Sequence, residues 1–239
     1  MRSYARHQLK QDSFTTSTAE TISWAVEHRS KVTAAIVGLL VILAILIGGW
    51  AYINYRDQQA SAQLAQAIEK YNAPIRSPEI PASPNLPSFA SAQERAKASN
   101  AEFTQIAGKY PFTQSAAVAR YFAGITFRDL GDSTNAESDL KQVADSRYKE
   151  IASLAKVALA AIYQDTNHNS QAVELYKQLI DHPTVSVGKS TAQFLLASLY
   201  ESMAQLGEAR RMYEQMQKES PTGAVAQVAG QRLQALARQ

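Results

Sequence analysis

The chain has 239 residues, with 24 basic and 21 acidic side chains, a net charge of +3 and no cysteine. Residues 1–31 carry five of the bases and three of the acids, which leaves the remainder at +1. So nearly neutral a body lacks the basic face that a phosphate backbone requires, which excludes nucleic acid as a partner. The lack of cysteine excludes a lipid attached through an N-terminal cysteine.

Residues 1–31 read as a polar tail. Ser17 to Glu20, STAE, is a capping box that opens a short helix running through Trp24 and His28. Trp24 reads as an interface anchor, with contact to another membrane protein as the alternative. Arg6 to Lys10 reads as a solvated basic tail that anionic headgroups attract weakly.

Residues 32–53, VTAAIVGLLVILAILIGGWAYI, carry no charge and stand between Lys31 and Arg56. At about 1.5 Å per residue they reach roughly 33 Å, enough to cross a bilayer. Trp50, Tyr52 and Tyr55 cluster at the far end as an aromatic belt. The polar lead of 31 residues and the length of the apolar run argue against a cleaved signal peptide. A single-pass transmembrane helix is therefore expected. Arg2, Arg6, Lys10, Arg29 and Lys31 precede it, and only Arg56, Lys70 and Arg76 follow within a similar length. That bias places the N-terminus in the cytoplasm and the remainder on the periplasmic or other extracytoplasmic side of the inner membrane. Ala34 with Gly38, and Ala44 with Gly48, give the small-residue spacing through which membrane helices pair into a homo-oligomer.

From 54 to 111 two helical groups, Leu64, Ala65 and Ile68, then Phe103 and Ile106 with Pro111, are separated by a proline-rich insert at 73–89. Pro74, Pro78, Pro81, Pro84 and Pro87 are five of the eight prolines, a spacing that no helix survives. The insert reads as a solvated linker or, alternatively, as a docking strap.

Residues 112–221 repeat themselves. GITFRDLGDSTNAESDL from Gly124, AAIYQDTNHNSQAVELY from Ala160 and ASLYESMAQLGEARRMY from Ala197 align, with starts 36 and 37 residues apart. Each has a small residue (Gly124, Ala160, Ala197), then an aromatic (Phe127, Tyr163, Tyr200), then Gly131, Asn167 or Ala204. Alanine follows (Ala136, Ala172, Ala209), and then Leu140, Tyr176 or Tyr213. Spacings of three and four put these on one helical face, and Gly131 and Asn167 mark a break between two helices. Each unit is a helix hairpin whose small residues allow close approach. From 222 to 239, Thr222 is expected to cap a last helix with Val225, Val228, Leu233 and Leu236 on its inner side, a lid for the array.

No residue pattern points to catalysis, a cofactor or a metal. His7, His28, His168 and His182 do not stand at ligand spacing, and there is no glycine-rich phosphate loop or serine elbow.

The order small, aromatic, turn, alanine, aromatic, closed by Pro111, Pro183 or Pro221, resembles the tetratricopeptide repeat. The early tryptophan of that motif is absent, with Arg120, Lys156 and Gln193 in its place, and the period exceeds the family's usual length. The resemblance implies an all-α solenoid behind the transmembrane helix, ending in a capping helix. It also implies that the first helix of each hairpin lines a protein-binding groove. Carried over, that groove comprises Val118, Tyr121, Ile125, Arg128 and Asp129, then Leu154, Val157, Gln164 and Asp165, then Thr191, Phe194, Ser198 and Glu201. Apolar near positions and polar far ones suit an amphipathic polypeptide. The alternative is that Tyr121, Val157 and Phe194 simply pack between helices. The whole organisation resembles the ancillary SecYEG translocon subunit, or cell-division coordinator, type of tetratricopeptide protein. That implies emerging polypeptides, translocon subunits or periplasmic chaperones as partners. The alternatives are a scaffold for an envelope or division complex and, should the topology be reversed, a cytosol-facing adaptor.

Overall fold

In a computed structural model of the chain, residues 26, 28–76 and 88–238 are described. The STAE box, Trp24 and the prolines at 78, 81, 84 and 87 lie outside them. The described residues form nine α-helices and no strand. The chain divides into two compact units, 1–54 and 55–239. In the first unit, the apolar run belongs to α1, Arg29–Tyr71, which is long and apolar enough to cross a membrane and none of whose apolar window is buried.

The second unit takes the end of α1 and then α2 (Ala92–Lys109), α3 (Gln114–Asp129), α4 (Ser133–Ala144), α5 (Lys149–Asp165), α6 (Asn169–Asp181), α7 (Lys189–Ser202), α8 (Leu206–Glu219) and α9 (Ala224–Leu236). From α2 onward each helix packs on the next, and α3 also touches α5, as a solenoid of hairpins requires.

The repeated small residues sit at the closest approaches. Ala160, Ala197, Ala136, Ala172 and Ala209 have no exposed surface. A Cβ on Gly124 would stand 2.7 Å from Leu140 Cγ, so α3 and α4 are closer here than an alanine permits. The turn positions share one backbone conformation. Gly131, Asn167 and Ala204 have φ of 81°, 59° and 57°. The next residue's N–H then returns to the aromatic carbonyl: Asp132 to Phe127 at 2.9 Å, His168 to Tyr163 at 2.7 Å and Gln205 to Tyr200 at 2.8 Å. This left-handed cap satisfies carbonyls that the helix end would leave bare.

Where the family's tryptophan is missing, a polar link crosses each hairpin. Arg120 meets Asp139 at 3.2 Å, Lys156 donates to Gln178 at 3.0 Å, and the buried Gln193 donates to Glu219 at 3.0 Å.

Three details differ from expectation. Leu64 is buried and Ile68 half-buried, but Ala65 faces outward, and Ala60 and Ala67 take the inward positions of α1. The last helix is not capped by Thr222: its N-cap is Gly223, at φ 94°, with no side-chain bond. On α9, Val228 is exposed, while Ala229 and Leu236 fill the inner side with Val225 and Leu233 half-buried. Alanine at 229 lets α9 settle against α8 where a valine would stand off.

The proline-rich insert is closed at its base. An isolated parallel bridge joins Ile75 and Phe89, with Arg76 N–H donating to Phe89 at 2.8 Å and Phe89 N–H to Pro74 at 3.2 Å. Ser91 then caps α2 by accepting from the Glu94 N–H at 3.1 Å, and the Glu94 carboxylate returns to the Ala90 N–H.

Candidate protein-binding groove

The candidate groove residues come from equivalent turns of α3, α5 and α7, because each first helix repeats the same three-and-four spacing. Val118, Tyr121, Ile125, Arg128, Leu154, Val157, Gln164, Phe194, Ser198 and Glu201 are half-buried, and Asp129, Asp165 and Thr191 are exposed. None is fully enclosed. Val118, Tyr121, Ile125, Leu154, Val157 and Phe194 rest their inner atoms against the hydrophobic core and leave an outer edge to solvent.

The polar far positions are tied to core tyrosines of the second helices. Gln164 Nε2 donates to the Tyr176 hydroxyl at 2.9 Å. One repeat later Glu201 lies beside the Tyr213 hydroxyl, although Glu201 Oε1 and the phenol oxygen complete no hydrogen bond of good geometry. Burial first, and then the neighbouring carboxylate, push the Tyr213 phenol up to about 12. In the first repeat Leu140 stands at the tyrosine position and no such link exists.

Two candidate residues are engaged by the capping helix. Arg232 of α9 lies over the Phe194 ring at 5.8 Å and approaches Glu201 at 3.6 Å, while Phe194 and Tyr213 are tilted at 6.3 Å between centroids. Thr191 and Phe194 also line an apolar cleft of about 330 Å³ with Met216, Val225 and Val228. Larger clefts lie elsewhere: one of about 450 Å³ beside Pro111, Phe112, Arg147 and Tyr148, and one of about 590 Å³ beside Lys149, Ser153 and His182.

At the start of the array a cluster appears that the repeat spacing does not announce. Phe103 and Phe122 stack at 5.1 Å, and Tyr71 of α1 closes on both at 6.1 and 5.7 Å. Tyr121 meets Phe122 edge-on at 5.4 Å. Asn100, buried, donates to the Ala123 carbonyl at 3.1 Å and to Thr126 Oγ1 at 2.9 Å, pinning α2 to α3. Among the described residues, no group of His, Asp or Glu is arranged to hold a metal ion.

A row of half-buried, amphipathic first-helix faces in a helical-hairpin solenoid defines a class of protein whose work is to bind other proteins. The model of the tetratricopeptide repeat-like domain matches residues 23–238, and the chain belongs to that family. No curated protein and no solved structure matches it. Membership carries protein–protein interaction as the general role of the domain.

Proposed function

We propose that this is a single-pass protein of the inner membrane, its N-terminus in the cytoplasm and its repeats in the periplasm, which holds polypeptides against the first-helix face. Its partners are emerging chains at the Sec translocon, or periplasmic chaperones. The observation that carries the reading is the threefold recurrence of a half-buried apolar position, Tyr121, Val157 and Phe194, backed by a polar one, Arg128, Gln164 and Glu201. An extended or helical client with one apolar side matches that register. The uncharged window of α1 supports the anchor, and the basic bias ahead of it supports the orientation.

The test is capture of a crosslinkable amphipathic peptide by the full chain. Tyr121→Ser with Phe194→Ser should weaken capture about tenfold, equivalent to roughly 1.4 kcal/mol. Glu174→Ser with Lys177→Ser, exposed on α6, should not. Because Tyr121 and Phe194 touch the core, Thr191→Arg adds bulk on the same face without disturbing it. Normal capture by a folded double mutant and by Thr191→Arg would place the client elsewhere.

A further inference from the structure

Phe112 is the anomaly of the repeat unit. Its side chain is 78% exposed, and its backbone takes φ 68°, a conformation that a bulky residue seldom adopts. The strain is held from outside. The Phe112 carbonyl accepts from the Tyr148 hydroxyl at 2.7 Å and from Arg147 Nη2 at 3.0 Å, both in the next inter-repeat loop. Two side chains thus fix a peptide so that an aromatic ring points into solvent, an arrangement with no folding benefit of its own.

The position of this loop along the chain gives the ring a purpose. Arg56 donates to the Lys109 carbonyl and lies over the Tyr110 ring at 4.8 Å, and Asp57 Oδ1 accepts the Ser115 N–H at 2.9 Å. The α2–α3 loop is therefore fastened to the turn of α1 that begins three residues after the apolar run ends at Ile53, about 4.5 Å of helix rise. Whatever angle the span takes, Phe112 is carried close to the point where the chain leaves the bilayer. The exposed side chains around it include the cations Lys109, Arg147 and Lys149, with Asp145 as the acid in the same loop.

We propose that Phe112 is a lipid-interface wedge: its ring enters the headgroup layer of the anchoring membrane while Lys109, Arg147 and Lys149 meet lipid phosphates. Aromatic rings favour that depth, and basic residues near an anionic leaflet add attraction. The docking rests on α1 being the anchor, so the test separates the two.

The chain has no cysteine, so Phe112→Cys, Ser133→Cys and Leu46→Cys each give one site for an environment-sensitive fluorophore. Ser133 opens α4, one α3 length or about 24 Å from the loop. Each full-length variant is reconstituted in phosphatidylethanolamine–phosphatidylglycerol vesicles with doxyl lipids. The label at 46 should be strongly quenched, and the label at 112 should be quenched at least about twofold more than that at 133, with blue-shifted emission. Quenching at 46 with none at 112 overturns the wedge and leaves the anchor standing. No quenching at 46 overturns both. A blue shift at 112 without lipid quenching means that protein, not lipid, covers the ring, and also overturns the wedge.

Discussion

Gln164 on α5 donates its amide to the Tyr176 hydroxyl on α6 at 2.9 Å, so that a polar position on the face of one helix is held by a core aromatic of the next. The following repeat keeps the pairing but changes its charge, with Glu201 beside Tyr213. A neutral amide can satisfy the phenol; a carboxylate can only favour its protonated form.

That difference gives a pH dependence. The Tyr213 phenol is raised from 10.0 to about 12, by burial and then by Glu201. The folded state therefore binds the proton more tightly than the unfolded one. Its contribution to stability is complete below pH 10 and is lost as pH rises toward about 12. Urea midpoints measured across that window should fall less steeply for Tyr213→Phe than for the natural chain; parallel slopes would contradict the assignment. Tyr176 and Tyr163, also raised chiefly by burial, supply the slope that remains.

The left-handed caps predict a gain in stability. Ala204 occupies with φ 57° a position that suits the glycine found at 131. Ala204→Gly should stabilise the fold by about 0.5–1 kcal/mol, the left-handed penalty exceeding the added freedom of the unfolded chain. Gly131→Ala should lose a similar amount. Thermal melts of the two variants moving in the same direction would refute the shared cap.

Close approach predicts a loss. Ala172 and Ala209 have no exposed surface, so Ala172→Leu or Ala209→Leu should overpack the hairpin and cost about 1–3 kcal/mol. Gln171→Leu, one residue away and exposed, should cost little. Gly124→Ala should also destabilise, since its Cβ would press on Leu140. Equal melting temperatures for Ala172→Leu and Gln171→Leu would be the contrary result.

The fourth prediction concerns orientation, from five bases before the apolar run and three after it. Protease added to intact spheroplasts should digest the repeats and spare an epitope placed in the first 31 residues. Digestion of the epitope with protected repeats would reverse the topology and remove the translocon reading.

Much of the hairpin was legible because its determinants are local and repeated. Small residues at Gly124, Ala160 and Ala197, alanines at 136, 172 and 209, and the breaks at Gly131 and Asn167 each carry their reason in their own side chain. Ala204 does not; only its alignment with the other two betrays the turn. Other features depend on distant partners. Tyr71 stands just ahead of the proline-rich insert, and nothing nearby announces that it will close on Phe103 and Phe122. The links of Arg120, Lys156 and Gln193 to the opposite helix compensate for an absent tryptophan, and polar residues at such positions look solvated until the hairpin closes. The inner side of α9 was misread because periodicity favours valine over alanine, whereas packing at short range favours Ala229. For the groove, spacing identifies a face and cannot say what covers it; that Arg232 already lies on Phe194 is a tertiary fact.

The neighbour-to-neighbour packing from α2 to α9 has a consequence for biogenesis. A chain threaded across a membrane arrives one segment at a time, and most proteins must wait for distant pieces before they can close. Here nearly every partner of a helix is the one just delivered, so each hairpin can zip onto its predecessor as it emerges, with little loop-closure entropy to overcome. Such a solenoid can mature vectorially, from its anchored end outward, and expose at any moment only the unfinished edge of one repeat.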